Sequence, residues 1–182
     1  MRELMREGIA TTHRSTDNAL KFLVKIMQER GPFDAIIGYS EGATVAATLL
    51  LHEQRRFKKK GIQPMFKYAI FFAGWPPVDP DSHSMILSDE SEAMIEIPTC
   101  HISKYCVFRR AWGLNTFLFA DTVTVGSLDP YVHGSLALYN VCDPDTAHMF
   151  DHAKGHTLPR DKDTVKELGD VVREAIETYG IY

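Results

Sequence analysis

Positive charge is in short supply: Lys+Arg 20 against Asp+Glu 24 leaves this 182-residue chain at −4, so no global field exists to hold a phosphate backbone or an anionic membrane. Neither nucleic acid nor membrane is an expected partner. Cysteine is scarce too. Cys100, Cys106 and Cys142 form neither an even disulfide set nor a CxxC pair, as suits a reducing compartment. Met1 to Glu7 is charged where a signal peptide would be apolar, and no run of about 18 apolar residues occurs. Internal repeats and low-complexity stretches are also missing. A cytoplasmic protein is therefore expected. What is present is ordinary for a globular domain, 45% hydrophobic and 24% charged residues, and the length suits one domain, residues 1–182.

Ser15 or Thr16 can cap a helix that carries Ala19, Leu20, Leu23, Val24 and Met27 on one face and ends at Gly31-Pro32. The short apolar run Phe33 to Gly38 then predicts a strand buried on both faces. Tyr39-Ser40-Glu41-Gly42 turns the chain into an Ala- and Leu-rich helix from Ala43 to Leu51. The basic run Arg55 to Lys60 falls at that helix's end, where cations complement the dipole, so a solvated helix end is preferred to a nucleic-acid patch. Tyr68 to Phe72 predicts a second buried strand, Ile97 to Ile102 a third, and His148 to Phe150 a fourth. Leu128-Asp129-Pro130 opens a helix, and Asp163 begins another with the stripe Val165, Leu168, Val171, Val172, Ala175 and Ile176. Strands alternating with helices predict an α/β fold with a mostly parallel sheet.

Gly38-Tyr39-Ser40-Glu41-Gly42 is G-x-S-x-G between a buried strand and a helix. In that setting a sharp turn lifts the serine hydroxyl above the sheet edge, and the two glycines, Gly38 and Gly42, allow strand and helix to approach. The Glu41 N–H, at the new helix's N-terminus, is placed to donate to an oxyanion. A serine needs a base, and the base a carboxylate, in the order Ser, Asp, His. Asp129 in Gly126-Ser127-Leu128-Asp129-Pro130 and His156 in Gly155-His156-Thr157 follow in that order. Asp129 can alternatively just cap the helix at Pro130, leaving Asp79 or Asp143 as the acid, and His156 competes with seven other histidines. His148, His152 and His156 recur every four residues, as a helical zinc site would require, but Gly155 and Pro159 argue against a helix there. No metal and no cofactor are expected.

These segments, together with Phe66 to Gly74 and Ile97-Pro98-Thr99, resemble the fungal serine hydrolase family of α/β-hydrolases, in family order from about Ser15 to Ile176. The resemblance implies an α/β-hydrolase fold in which Ser40 is the nucleophile, Asp129 orients the imidazole and His156 is general base, then general acid. It implies hydrolysis of an ester or thioester through an acyl-serine, with a small acyl ester or a carrier-bound, polyketide-type thioester as the partner. Trp75 and Pro76, with Pro77, follow the second strand and are candidates to line an acyl pocket, loop packing being the other reading.

The family's first strand and its His-Gly-type oxyanion loop have no counterpart before the elbow strand. The domain is thus expected to be incomplete at its N-terminus, with one neighbour fewer for the strand at Phe33 to Gly38. Residues 103–125 interrupt the family pattern between the third strand and Asp129. They are expected to be a poorly packed insertion, either a lid or a retained in-frame intron, because Ser103-Lys104-Tyr105 and Thr124-Val125 can be encoded by splice donor and acceptor sequences. The rival to an enzyme is an inactive fragment or binding module that keeps the triad residues. Oligomeric state is not legible in the sequence.

Overall fold

The computed structural model describes residues 13–79, 82, 84–88, 94–103, 132–152 and 156–180. Asp129, Cys106 and residues 104–125 lie outside the described residues, but Ser103, expected to open the poorly packed segment, is corrected to the last residue of the strand Thr99–Ser103 and is buried. In chain order the elements are α1 (His13–Arg30), β1 (Ala35–Tyr39), α2 (Glu41–Lys60), β2 (Tyr68–Phe72), β3 (Thr99–Ser103), α3 (Val132–Tyr139), β4 (Ala147–Asp151) and α4 (Lys162–Thr178). The strands form one sheet in the order β1-β2-β3-β4, every pair parallel. The fold is α/β and of the α/β-hydrolase kind.

The central strand β2 shows why an apolar run without alternation forms a doubly covered strand. Successive residues face opposite sides. Ala69 and Phe71 join a core with Leu20 and Met27 of α1, Ala43 to Leu51 of α2 and Leu138 of α3. Tyr68 and Ile70 join a second core with Cys100, Ile102 and Ala175, against which Leu168, Val171 and Val172 of α4 pack. Burial pushes the Cys100 thiol up to about 11 and the Cys142 thiol up to about 12, so both stay protonated and act as packing groups.

The expectation that Phe33 to Gly38 is buried on both faces is corrected. Among the described residues β1 is the sheet's end strand, paired to β2 alone. Its Gly38 is buried, but Ile37 is 66% exposed and Tyr39 41% exposed. The second core draws on β2, β3 and α4 and takes nothing from β1. Helix boundaries differ in smaller ways. The first helix already runs from His13, and α2 extends to Lys60, where Gly61 closes it in the left-handed conformation. The last helix is capped by Asp161, whose carboxylate accepts the Thr164 N–H at 2.9 Å, and Val165 of the expected stripe is 48% exposed. Lys58, Lys59 and Lys60 do fall in the last turn of α2, the solvated helix end.

His101 of β3 is a core residue. It is 3% exposed, lies between the rings of Phe71 and Tyr139, and shares a 3.1 Å hydrogen bond with Thr99 Oγ1. Burial lowers its pKa from 6.5 to about 3. The unfolded chain therefore binds a proton at this position that the folded chain refuses between those two values. Stability from this group is present in full above pH 6.5 and is lost as pH falls towards 3. His101→Phe should flatten the acid side of the urea-midpoint against pH curve; an unchanged slope would remove His101 as its source.

Candidate active site

Ser40 stands between β1 and α2 with φ 53 and ψ −120, a left-handed conformation that costs a non-glycine residue about 1–3 kcal/mol. The surroundings hold it there. Its N–H donates to the Phe72 carbonyl at 2.8 Å, which extends the β1–β2 ladder by one step, while its carbonyl accepts from Ala43 N–H at 3.0 Å and opens the helix. Gly38 makes the turn sterically feasible: a Cβ there would lie 2.4 Å from Ala43 Cα and 2.7 Å from Gly42 O. Gly42 plays no such part. A Cβ on it would meet nothing within 4 Å, because it sits exposed on the first turn of α2, so the expectation of a close approach at both glycines is corrected to Gly38 alone.

A histidine reaches this serine from the other end of the described sheet. His156 lies five residues beyond β4, yet its Nε2 is 3.2 Å from Ser40 Oγ. Its Nδ1 is shielded from solvent. The Glu41 N–H begins α2, and a helix leaves its first N–H groups without intrahelical acceptors, so a donor and a positive dipole end stand beside the hydroxyl.

The competing residues go elsewhere. Asp79 pairs with Arg55 Nη2 at 2.5 Å and accepts the Ser82 N–H at 2.9 Å. Arg55 is fifteen residues along α2 from Ser40, about 22 Å at 1.5 Å per residue. Asp143 caps a turn by accepting the Asp145 N–H at 3.0 Å, just before β4 and hence at the edge of the sheet away from Ser40. His148 is on β4 and bonds Tyr179 Oη at 3.0 Å. His148, His152 and His156 are thus spread over a strand and a loop instead of one helix face.

Beyond β2, the chain is sewn to α2 by two threonines that sequence reasoning missed. Thr44 Oγ1 accepts the Trp75 N–H at 3.1 Å and donates to the Trp75 carbonyl at 3.2 Å; Thr48 Oγ1 accepts the Val78 N–H at 3.0 Å and donates to the Thr44 carbonyl. Ala73, with φ 48, and Gly74, whose Cβ would lie 2.5 Å from Ala43 Cβ, bring this segment against α2 one turn past Ser40. Pro76 and Pro77 are fully buried there and pack the loop. Trp75 is half-buried, its indole lying on Gly134 of α3, where a Cβ would fall 2.8 Å from the ring. An apolar hollow of about 250 Å³, lined by residues including Leu50, Phe57, Phe66 and Ile97, lies towards the far end of α2 and takes no part in this site.

A parallel α/β sheet with a strained serine between a strand and a helix, and a histidine on a loop after the last described strand, is the arrangement of serine hydrolases of the α/β class. The chain belongs to the serine hydrolase (FSH1) family, whose model matches residues 5–168. It is 28% identical over 162 residues to a hydrolase, phiM, of Talaromyces stipitatus, covering 86% of this chain and 55% of that protein. To an esterase, FUS5, of Gibberella moniliformis it is 26% identical over 164 residues, 88% of this chain and 54% of that one. An uncharacterized hydrolase of Schizosaccharomyces pombe is 38% identical over 171 residues, 92% of this chain and 33% of its own. The chain thus spans about half the length, or less, of these relatives. No solved structure matches it. Among the described residues no helix is long and apolar enough to cross a membrane.

Proposed function

We propose that this protein is a serine esterase or thioesterase working through an acyl-serine. The observation that carries the proposal is the 3.2 Å approach of His156 Nε2 to Ser40 Oγ at a backbone-strained turn, between residues 116 positions apart. Ser40 Oγ attacks the carbonyl carbon of an ester or thioester while His156 Nε2 takes its proton. The Glu41 N–H donates to the oxyanion that forms. Collapse of the tetrahedral intermediate breaks the bond to the alcohol or thiol, which leaves with the proton returned by His156. Water then gives a proton to His156 and attacks the acyl-serine; the second intermediate collapses with Ser40 Oγ leaving, His156 returns the proton to it, and the acid is released.

Asp129 is the carboxylate assigned to hold the imidazole in the productive tautomer, on the strength of its place in the Ser, Asp, His order and of the separation of Asp79 and Asp143 from Ser40. Every step uses side chains, backbone and water, and the scheme calls on no metal or cofactor. The substrate class is an acyl ester or a carrier-bound thioester of polyketide type, taken up in the cytoplasm, with Trp75 as the lining residue on the acyl side. The names of the relatives support the ester half of this reading, since two are called hydrolases and one an esterase.

A fluorophosphonate probe tests it, because the probe needs an activated serine and no knowledge of the natural acyl group. Labelling mapped by mass spectrometry to Ser40, and abolished in Ser40→Ala, is the expected result. An unlabelled wild-type protein that remains folded would favour an inactive binding module instead.

A further inference from the structure

Tyr39, the residue before the serine, is treated by any reading of G-x-S-x-G as a variable position. Its side chain is placed otherwise. The strand alternation that sends Gly38 towards Ala43 of α2 sends Tyr39 to the opposite side of the sheet, the side of α4, where the core leaves β1 uncovered. From there its hydroxyl donates to the His156 carbonyl at 3.2 Å, and its ring centroid lies 5.5 Å from that of the His156 imidazole at an interplanar angle of 43°.

The loop that carries His156 has a particular mechanical problem. Among the described residues it leaves β4 at one edge of the sheet and must set an imidazole beside a serine that follows β1 at the other, three strand spacings or about 14 Å away. A side chain at the landing point that grips both the backbone and the ring of the base fixes its position and its tilt. Both matter, since a misplacement of about 1 Å at a catalytic group can cost on the order of 10² in rate. When His156 takes the serine proton it becomes a cation, and the π electrons of an aromatic ring with its centroid within about 6 Å favour that charge.

We propose that Tyr39 is a positioning residue for the base: its hydroxyl pins the His156 loop to the elbow strand and its ring supports the imidazolium formed during acyl transfer. The proposal rests on the serine hydrolase reading for its kinetic consequences and on the Tyr39–His156 geometry for its structural ones, so its test has an arm for each. Tyr39 and Ser40 are among the groups that meet His156, with the exposed Glu41 next along the chain. Tyr39→Phe removes the tether and keeps the ring; Tyr39→Leu removes both.

In the first arm, fluorophosphonate inactivation is resolved into a maximal rate and a half-saturating concentration. Tyr39→Phe should lower the maximal rate about three- to tenfold and Tyr39→Leu a further two- to fivefold or so, with half-saturation unchanged. In the second, the imidazole 1H–15N resonances of His156, assigned with His156→Gln, should move in Tyr39→Leu while those of the core residue His101 stay in place. Maximal rates equal to wild type in both variants, or His156 resonances unmoved in Tyr39→Leu, would overturn the proposal. So would a Tyr39→Leu protein in which His101 shifts too, since a general loosening of the fold would then explain the loss. If wild type is not labelled at all, the hydrolase reading falls, and the resonances alone decide for or against Tyr39.

Discussion

His156→Ala should slow phosphonylation of Ser40 by about 10⁴-fold or more while leaving the urea midpoint nearly unchanged. The rate loss follows from the chemistry of the hydroxyl. At neutral pH an unassisted serine is a negligible nucleophile, and on the proposed mechanism His156 Nε2, 3.2 Å from its oxygen, is the group that takes the proton. The small stability effect follows from position. His156 is half-buried on a loop at the sheet's edge, outside both apolar cores, so its removal opens no cavity in them. The check is a second-order labelling rate measured beside a denaturant melt. A rate within tenfold of wild type would show that another group activates Ser40.

How much of this could be read without coordinates depends on how far each feature's cause extends along the chain. The run Tyr68 to Phe72 carries its own explanation, five apolar residues with both faces to feed, and it forms β2 as expected. The serine elbow is equally local. Gly38, Ser40 and the Ala-rich stretch that begins α2 are contiguous, and the glycine's role is visible in a 2.4 Å clearance to Ala43.

Where the cause lies far off in sequence, the pattern falls short. Phe33 to Gly38 has the same apolar signature as β2, but whether a strand is covered depends on which elements lie over it, and a run of residues cannot report its neighbours. Ile37 is therefore apolar and 66% exposed. Tyr39 escaped notice for a related reason: its partner is 117 residues away. Thr44 and Thr48 look like ordinary helix residues until the loop at Trp75 to Val78 is laid against them. Gly42 errs the other way, since a pattern shared with tighter elbows suggested a constraint that the open space beside it does not impose.

Gly38→Ala should be the most damaging single substitution for fold and site together. One methyl group is added, and it would have to occupy a position 2.4 Å from Ala43 Cα, 2.7 Å from Ala43 N and 2.7 Å from Gly42 O. All three are backbone atoms, so no side chain can rotate aside to make room. Either the start of α2 moves away from β1 or the turn opens. Overpacking of this kind typically costs about 1–3 kcal/mol, and the backbone location puts it at the upper end or beyond. Both relaxations also act on the site. Ser40 sits two residues on, with its N–H tied to Phe72 and its carbonyl to Ala43, so any shift of α2 carries the hydroxyl away from His156. Gly42→Ala is the matched control, because its added methyl meets nothing within 4 Å and replaces glycine with a better helix former by up to about 1 kcal/mol. The expected pair of results is a lower urea midpoint with loss of Ser40 labelling for Gly38→Ala, and an equal or higher midpoint with labelling retained for Gly42→Ala. Equal midpoints in the two variants would mean that strand and helix do not meet at Gly38 as closely as the elbow geometry requires.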